Sequence, residues 1–192
     1  MTPYSKSNQA FSDAAHLAAR QHIYPNLFVP LQSKEGAITY ISPAFGNSKK
    51  ERVLDGDMGI DRLVRIACND FSAPLEFTIQ ERFRRPEYAT WNDLTVTEWN
   101  HQTNLPSELH KINAGIFVYG YFNPKRGDFV NWVAADTMRL IYAVSIGQLK
   151  YKRFENERSG QTFVSFAFDD LRQSEVIFKE MKDRCIFGQI SK

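Results

Sequence analysis

A chain of 192 residues with 43% hydrophobic and 24% charged residues has the composition of a globular protein, and its length suits one domain spanning residues 1–192. A formal net charge of +2 excludes the overall basic signature of a nucleic-acid-coating protein, and two cysteines, Cys68 and Cys185, exclude a disulfide framework. No apolar run reaches the roughly 18 residues of a membrane span, and Met1–Lys6 lacks a secretory apolar segment, so the expected compartment is the cytoplasm.

In chain order, Asn8 to Tyr24 reads as a helix: Ser12 or Asp13 offers a cap, Ala14, Leu17 and Ala18 form an apolar stripe, and Pro25 marks the stop. His16 and His22 fall on different faces of it and make no metal pair. Ala37–Ile41 is a short strand, and Ser42 to Lys50 a loop rich in Ser, Gly, Asn and Pro. Leu63–Ala67 and Phe77–Phe83 are strands separated by turn residues. Pro86 takes the chain out of the sheet, and Asp93–Trp99 alternates as a third strand. Leu109, Ile112, Ile116 and Phe117 recur at helical spacing, which predicts a helix from about Ser107 to Tyr121. Phe129–Ala134 is a fourth strand, and Asp136 caps a helix running to Ser145. An additional strand, Thr162–Phe168, and a last helix, from Asp169 or Asp170 to about Arg184, complete the chain. The fold class is α/β (α+β mixed): a central mixed sheet flanked by helices, with an extra C-terminal strand and helix.

The chemistry concentrates between Gly56 and Phe83. Gly56-Asp57-Met58-Gly59-Ile60-Asp61 is a tight acidic turn that delivers Asp61 into the first strand, and Ile79-Gln80-Glu81-Arg82 sits on the second. With a period of two, Gln80 and Arg82 share a face, and Glu81 alternates away from them. A carboxylate, an amide oxygen and a guanidinium in one cleft suit a divalent metal and a phosphate. Gly-Asp-x-Gly-Ile-Asp followed by Ile-Gln-x-(Lys) resembles the active-site signature of the PD-(D/E)xK nucleases, in the Mrr-like branch that has Gln in place of the second acid. The predicted succession of elements also matches the αβββαβ core of that restriction-endonuclease-like fold.

The resemblance implies Mg²⁺ (or Mn²⁺) held by Asp61 and Gln80, with the backbone carbonyl of Glu81 and the helix acid Asp13 as further ligands, and DNA as the substrate, RNA not being excluded. It makes Asp61, Gln80 and Arg82 the catalytic set. Arg82 stands where the family has Lys, and a guanidinium clamps phosphate but cannot act as a general base. Lys49, Lys50 and Arg52 before the turn, and Arg84 and Arg85 after the strand, flank the cleft as nucleic-acid contacts. The alternative is a weakly active or inactive nucleic-acid- or partner-binding protein on the same fold, with Asp61 a turn residue and Gln80 and Arg82 paired with Glu76 or Asp93. An aromatic-rich surface (15 Phe, 8 Tyr, 3 Trp) is also compatible with a homodimer.

Overall fold

The computed structural model describes residues 6–28, 58–67, 72–157 and 159–182, and the backbone of 37–43. Helix α1 (Lys6–Ala18) continues through a π turn, Ala19–Ile23, into the short helix α2 (Tyr24–Leu27). Ser12 and Asp13, expected as caps, lie inside α1, and Pro25 does not stop the helix. Proline crowds the carbonyl four residues before it. The helix widens just ahead of Pro25, and the Tyr24 N–H reaches the Ala19 carbonyl instead.

The strands follow: β1 (Ala37–Pro43), β2 (Arg62–Ala67), β3 (Leu75–Arg84), β4 (Asp93–Asn100), β5 (Leu105–Pro106), β6 (Ile116–Asn123), β7 (Asp128–Asp136), β8 (Lys152–Asn156), β9 (Gln161–Ala167) and β10 (Ile177–Lys182). Helix α3 (Glu108–Lys111) precedes β6, α4 (Thr137–Ser145) follows β7, and α5 (Phe168–Gln173) follows β9. Six strands form a mixed sheet in the order β1-β2-β3-β6-β7-β10, in which only β3 and β6 run parallel. Four more form an antiparallel sheet, β5-β4-β9-β8. The large sheet buries one face under α1 and the π turn, where Ala15, Ala18 and Ile23 join Val64, Ile79, Val118 and Trp132 in one core. Its other face packs on the small sheet, where Phe117, Tyr119 and Val133 meet Leu94, Val96, Val164 and Phe166.

The mixed class therefore holds, with three corrections to the elements. Residues 116–123 form a strand, not the second half of a helix. Buried on both faces, Ile-Phe-Val-Tyr-Gly-Tyr-Phe is apolar throughout and mimics helical spacing. The last predicted helix is cut short after Gln173, because Glu175 adopts a left-handed φ of 53°, and Ile177–Lys182 joins the large sheet as a strand. Third, β4 leaves the large sheet for the small one. β4 and β5 stand between β3 and α3, so the chain does not run helix, three strands, helix, strand. The motif residues lie at the start of β2 and on β3, the second and third strands rather than the first and second. Asp136 does cap α4, accepting from the Arg139 N–H at 3.0 Å.

Gly120 is closely packed on β6. A Cβ there would lie 2.9 Å from Phe129 Cδ1 and 3.1 Å from Trp132 Cβ. Gly120→Ala is expected to destabilise the fold by about 1–3 kcal/mol, the usual cost of overpacking. The measurement is urea unfolding, with a lower midpoint at an unchanged slope.

Candidate functional site at the start of the second strand

Where β2 begins, its ladder with β3 becomes irregular. Arg62 is paired with Ile79, and the Asp61 N–H also bonds the Ile79 carbonyl at 2.9 Å. Two residues of the incoming chain thus address one residue of β3, a bulge-like irregularity at the end of the ladder. Beyond it, among the described residues, β3 pairs only with β6, and the Glu81 N–H is left without a strand partner on the β2 side. The Asp61 carboxylate takes that place, its Oδ2 accepting from the Glu81 N–H at 2.6 Å.

The Glu81 side chain is fully buried and faces the helices. Its Oε1 accepts from the Tyr24 hydroxyl, its Oε2 lies 2.6 Å from His16 Nδ1, and Arg62 Nε stands 3.2 Å from the same oxygen. A carboxylate only accepts, so the proton of that imidazole contact belongs to His16 Nδ1. Arg62 is itself buried, and its Nη1 donates to the Asp61 carbonyl at 3.0 Å. Burial, and then the Glu81 charge, push the Tyr24 hydroxyl well above its ordinary range, with a smaller contribution from Asp61. Asp61, Glu81, Arg62, His16 and Tyr24 are therefore one electrostatic unit.

Beside this unit a polar cleft of about 320 Å³ opens between α1 and β3, lined by Ser12, His16, Glu81, Arg82 and Arg84 with Phe11 and Phe83. The irregular start of β2 and the π turn that precedes Tyr24 both adjoin this unit, whereas Gly59, at φ +56°, lies on the Gln80 side. A Cβ on Gly59 would press on Gln80 Oε1 and the Lys111 carbonyl, both at 3.2 Å, so the turn admits only glycine at ease.

The remaining predicted residues are placed as follows. The structure brings Asp61 to Glu81, whereas the Gln80 amide lies beside Gly59 and Ile112, a residue of the core shared with the small sheet. Gln80 Oε1 is buried there without a hydrogen-bond partner. Arg82 is ion-paired with Glu108 at the start of α3, which also accepts from the Thr97 N–H at 3.4 Å. Arg84 donates to Thr95 Oγ1 at 3.2 Å and lies over the rings of Tyr88 and Trp91, at 4.5 and 4.7 Å. Arg85 bonds Asn8 Oδ1 at 3.2 Å and covers Phe11. Asp13 is exposed and accepts from Gln9 on its own helix at 2.8 Å. Glu76 pairs with Arg65, not with Gln80 or Arg82. Lys49, Lys50 and Arg52 lie outside the described residues.

Sequence reasoning missed His16, Tyr24, Arg62 and Glu108. The one available signal was that His16 and Tyr24 are eight residues apart, close to two helical turns and hence on one face. Among the described residues, no group of three or more His, Cys, Asp and Glu is gathered closely enough to hold a metal. The donor chemistry that remains is a pair: Asp61 and Glu81, with the cationic place beside them held by Arg62. Two carboxylates suffice for Mg²⁺, which keeps most of its waters. On this geometry the two acids brought together are Asp61 and Glu81, while the Gln80 amide lies beside Gly59. Comparison with family models, with curated proteins and with solved structures gives no match.

The tyrosines set an alkaline limit. Tyr24, and Tyr121, whose hydroxyl donates to Asp93 Oδ1 at 2.7 Å, are both held above the ordinary range, burial being the larger cause in each. The folded state keeps these protons when unfolded tyrosines, with a pKa of about 10, release them, so stability is fully present below pH 10 and falls as pH rises beyond it. The expected slope is about 1.4 kcal/mol per pH unit for each tyrosine. Urea midpoints at a series of pH values above 10 check this, and Tyr121→Phe should flatten the decline.

Proposed function

We propose that the chain is a nuclease that hydrolyses phosphodiester bonds in DNA on a restriction-endonuclease-like core, with its centre at the bulge where β2 meets β3. The observation that carries this reading is the placement of two buried carboxylates, Asp61 and Glu81, beside a polar cleft that two arginines line. Bulges, π turns and buried charge clusters are each over-represented at active sites, and here they coincide.

In this reading Asp61 and Glu81 would hold Mg²⁺ or Mn²⁺, which would supply a lowered water pKa and charge neutralisation at the phosphoryl group. The protein's own residues do the rest. Tyr24 and His16 fix the Glu81 carboxylate, so its oxygens need no reorganisation when charge develops. Arg82 and Arg84 supply the positive wall of the cleft for the phosphate. Arg82 is ion-paired with Glu108, so a phosphate there competes with an internal carboxylate. Arg62 balances the Glu81 charge in the free protein.

A second reading, a binding protein without chemistry, is favoured by one observation: Glu81 already has Tyr24, His16 and Arg62 around its two oxygens. Single-turnover cleavage of a DNA panel, with Mg²⁺ or Mn²⁺ and with chelator, separates the two. Cleavage should require the metal. Asp61→Asn, whose amide oxygen can still accept from the Glu81 N–H, should lose on the order of 10²-fold or more, as when one charge-stabilising group is removed. Gln80→Met should retain most of the activity, which distinguishes the Glu81 assignment from a Gln80 ligand. If no metal supports cleavage of any substrate, the binding reading stands instead.

Glu108→Gln isolates the role of Arg82. It leaves a hydrogen-bonding partner but removes the competing charge, so DNA should bind more tightly, by about 2- to 10-fold for a charge pair of this partly exposed kind. Equilibrium binding at one fixed salt concentration is the measurement.

A further inference from the structure

We infer that the outer side of the small sheet carries a binding surface for single-stranded nucleic acid, fed from the polar cleft through Arg84. The inference rests on the nucleic-acid reading above and extends it to a second surface. A cleft of about 650 Å³ lies against the β9 and β8 side of the small sheet, with Trp91, Tyr151, Phe154, Lys150 and Lys152 on its walls. The three aromatic residues are 54%, 43% and 41% exposed, more than packing alone requires of side chains this large. They are also held in place. Trp91 lies 5.1 Å from the Tyr88 ring, Tyr151 5.8 Å from Phe166, and Phe154 is stacked on Phe163 at 5.6 Å with planes 13° apart. Fixed, half-exposed rings interleaved with lysines are the elements of a stacking platform: the rings take the bases and the lysines follow the backbone.

The charges favour a polyanion. Neither Lys150 nor Lys152 is paired with an acid among the described residues. Two acids also line the cleft, Asp93 and Asp170. Asp93 is compensated from inside: Tyr121, Thr95 and Ser165 donate to it at 2.7, 3.0 and 2.5 Å, and Arg84 stands 3.9 Å away. Asp170 is half-buried near the start of α5 and is the one acid left to face the occupant.

Continuity selects the occupant. Arg84 lines the polar cleft, and its guanidinium lies 4.7 Å from the Trp91 ring that walls the aromatic cleft. A strand with a phosphate at Arg82 and Arg84 can therefore continue over Trp91 toward Tyr151 and Phe154. Only unpaired bases can stack on these rings, so the surface selects single strands over duplex.

The test is equilibrium binding of the full chain to a fluorescent oligothymidylate and to a duplex of equal length, in chelator, so that no result depends on cleavage. The single strand is expected to bind more tightly than the duplex. Trp91→Ala and Phe154→Ala should each weaken it by about 5- to 150-fold, the factor that stacking of one base corresponds to. The Lys150→Gln/Lys152→Gln double variant, which touches no buried group, should reduce the salt dependence by about 0.7 per lysine in log–log slope. Equal affinity for both forms, no binding at low salt, or aromatic and lysine variants that bind like the parent would each overturn the inference. Failure of cleavage with this binding intact would instead count against the nuclease reading alone.

Discussion

The Glu81 peptide N–H is the point on which the site depends. A strand neighbour would have satisfied it, but β2 begins at Arg62 and the bulge leaves the ladder short. A buried N–H without an acceptor costs about as much as a lost hydrogen bond, so the chain must supply one, and it supplies a charged one. That single bond, Asp61 Oδ2 to Glu81 N at 2.6 Å, joins the acidic turn to β3. It also brings the Asp61 and Glu81 carboxylates into one neighbourhood. The left-handed turn at Gly59 and the glycine-tight contact with Gln80 follow from leading the chain into that position.

The same bulge explains how far the site could be read from the residues alone. Asp61 and the Gln80–Arg82 segment stand out by type and spacing, and the structure does gather them at adjacent strand ends. Which of Gln80 and Glu81 meets Asp61 depends on a one-residue irregularity, and inserting one residue turns the choice to the other face. Strict alternation selects Gln80, and only an extra residue opposite Ile79 selects Glu81. The partners of Glu81 were hidden for another reason. His16 and Tyr24 come from a helix 65 and 57 residues away in the chain, and nothing local links them to β3. In the fold, β2, β3 and β7 were legible because their apolar residues alternate or form short runs between turn signals. β6 was not, because a strand buried between α1 and the small sheet is apolar on both faces and has no period to read.

The small sheet changes what the large one can do. An element order read as a single sheet leaves β4 as its third strand, with Thr95 and Thr97 facing a helix or solvent. Moved to a second layer, β4 lets Asp93 gather Tyr121, Thr95 and Ser165, which ties the two sheets together by hydroxyl donors. Arg84 lies at this junction, hydrogen-bonded to Thr95 and sandwiched near Tyr88 and Trp91. A guanidinium fixed in this way has little freedom left to lose on binding a ligand. On the proposed reading the two arginines of the cleft are thus unequal: Arg84 is a preset phosphate contact, and at Arg82 a phosphate competes with Glu108.

Charge burial finally distinguishes this cluster from ordinary packing. Glu81 and Arg62 are both nearly inaccessible, and Asp61 is 5% exposed. Removing such charges from water costs several kcal/mol per ion, and well-packed apolar side chains of similar volume are often as stable or more so. A fold selected for stability alone had the alternative at hand, since Val64, Ile66 and Ile79 already make an apolar floor next to the cluster. Among the described residues, what the ionic arrangement adds is a pair of carboxylates held by a tyrosine, a histidine and a backbone amide, with Arg62 at Glu81 and a polar cleft at hand. Preorganised negative charge of this kind is of little use to a core, and it is the feature on which the proposed metal-dependent reading rests.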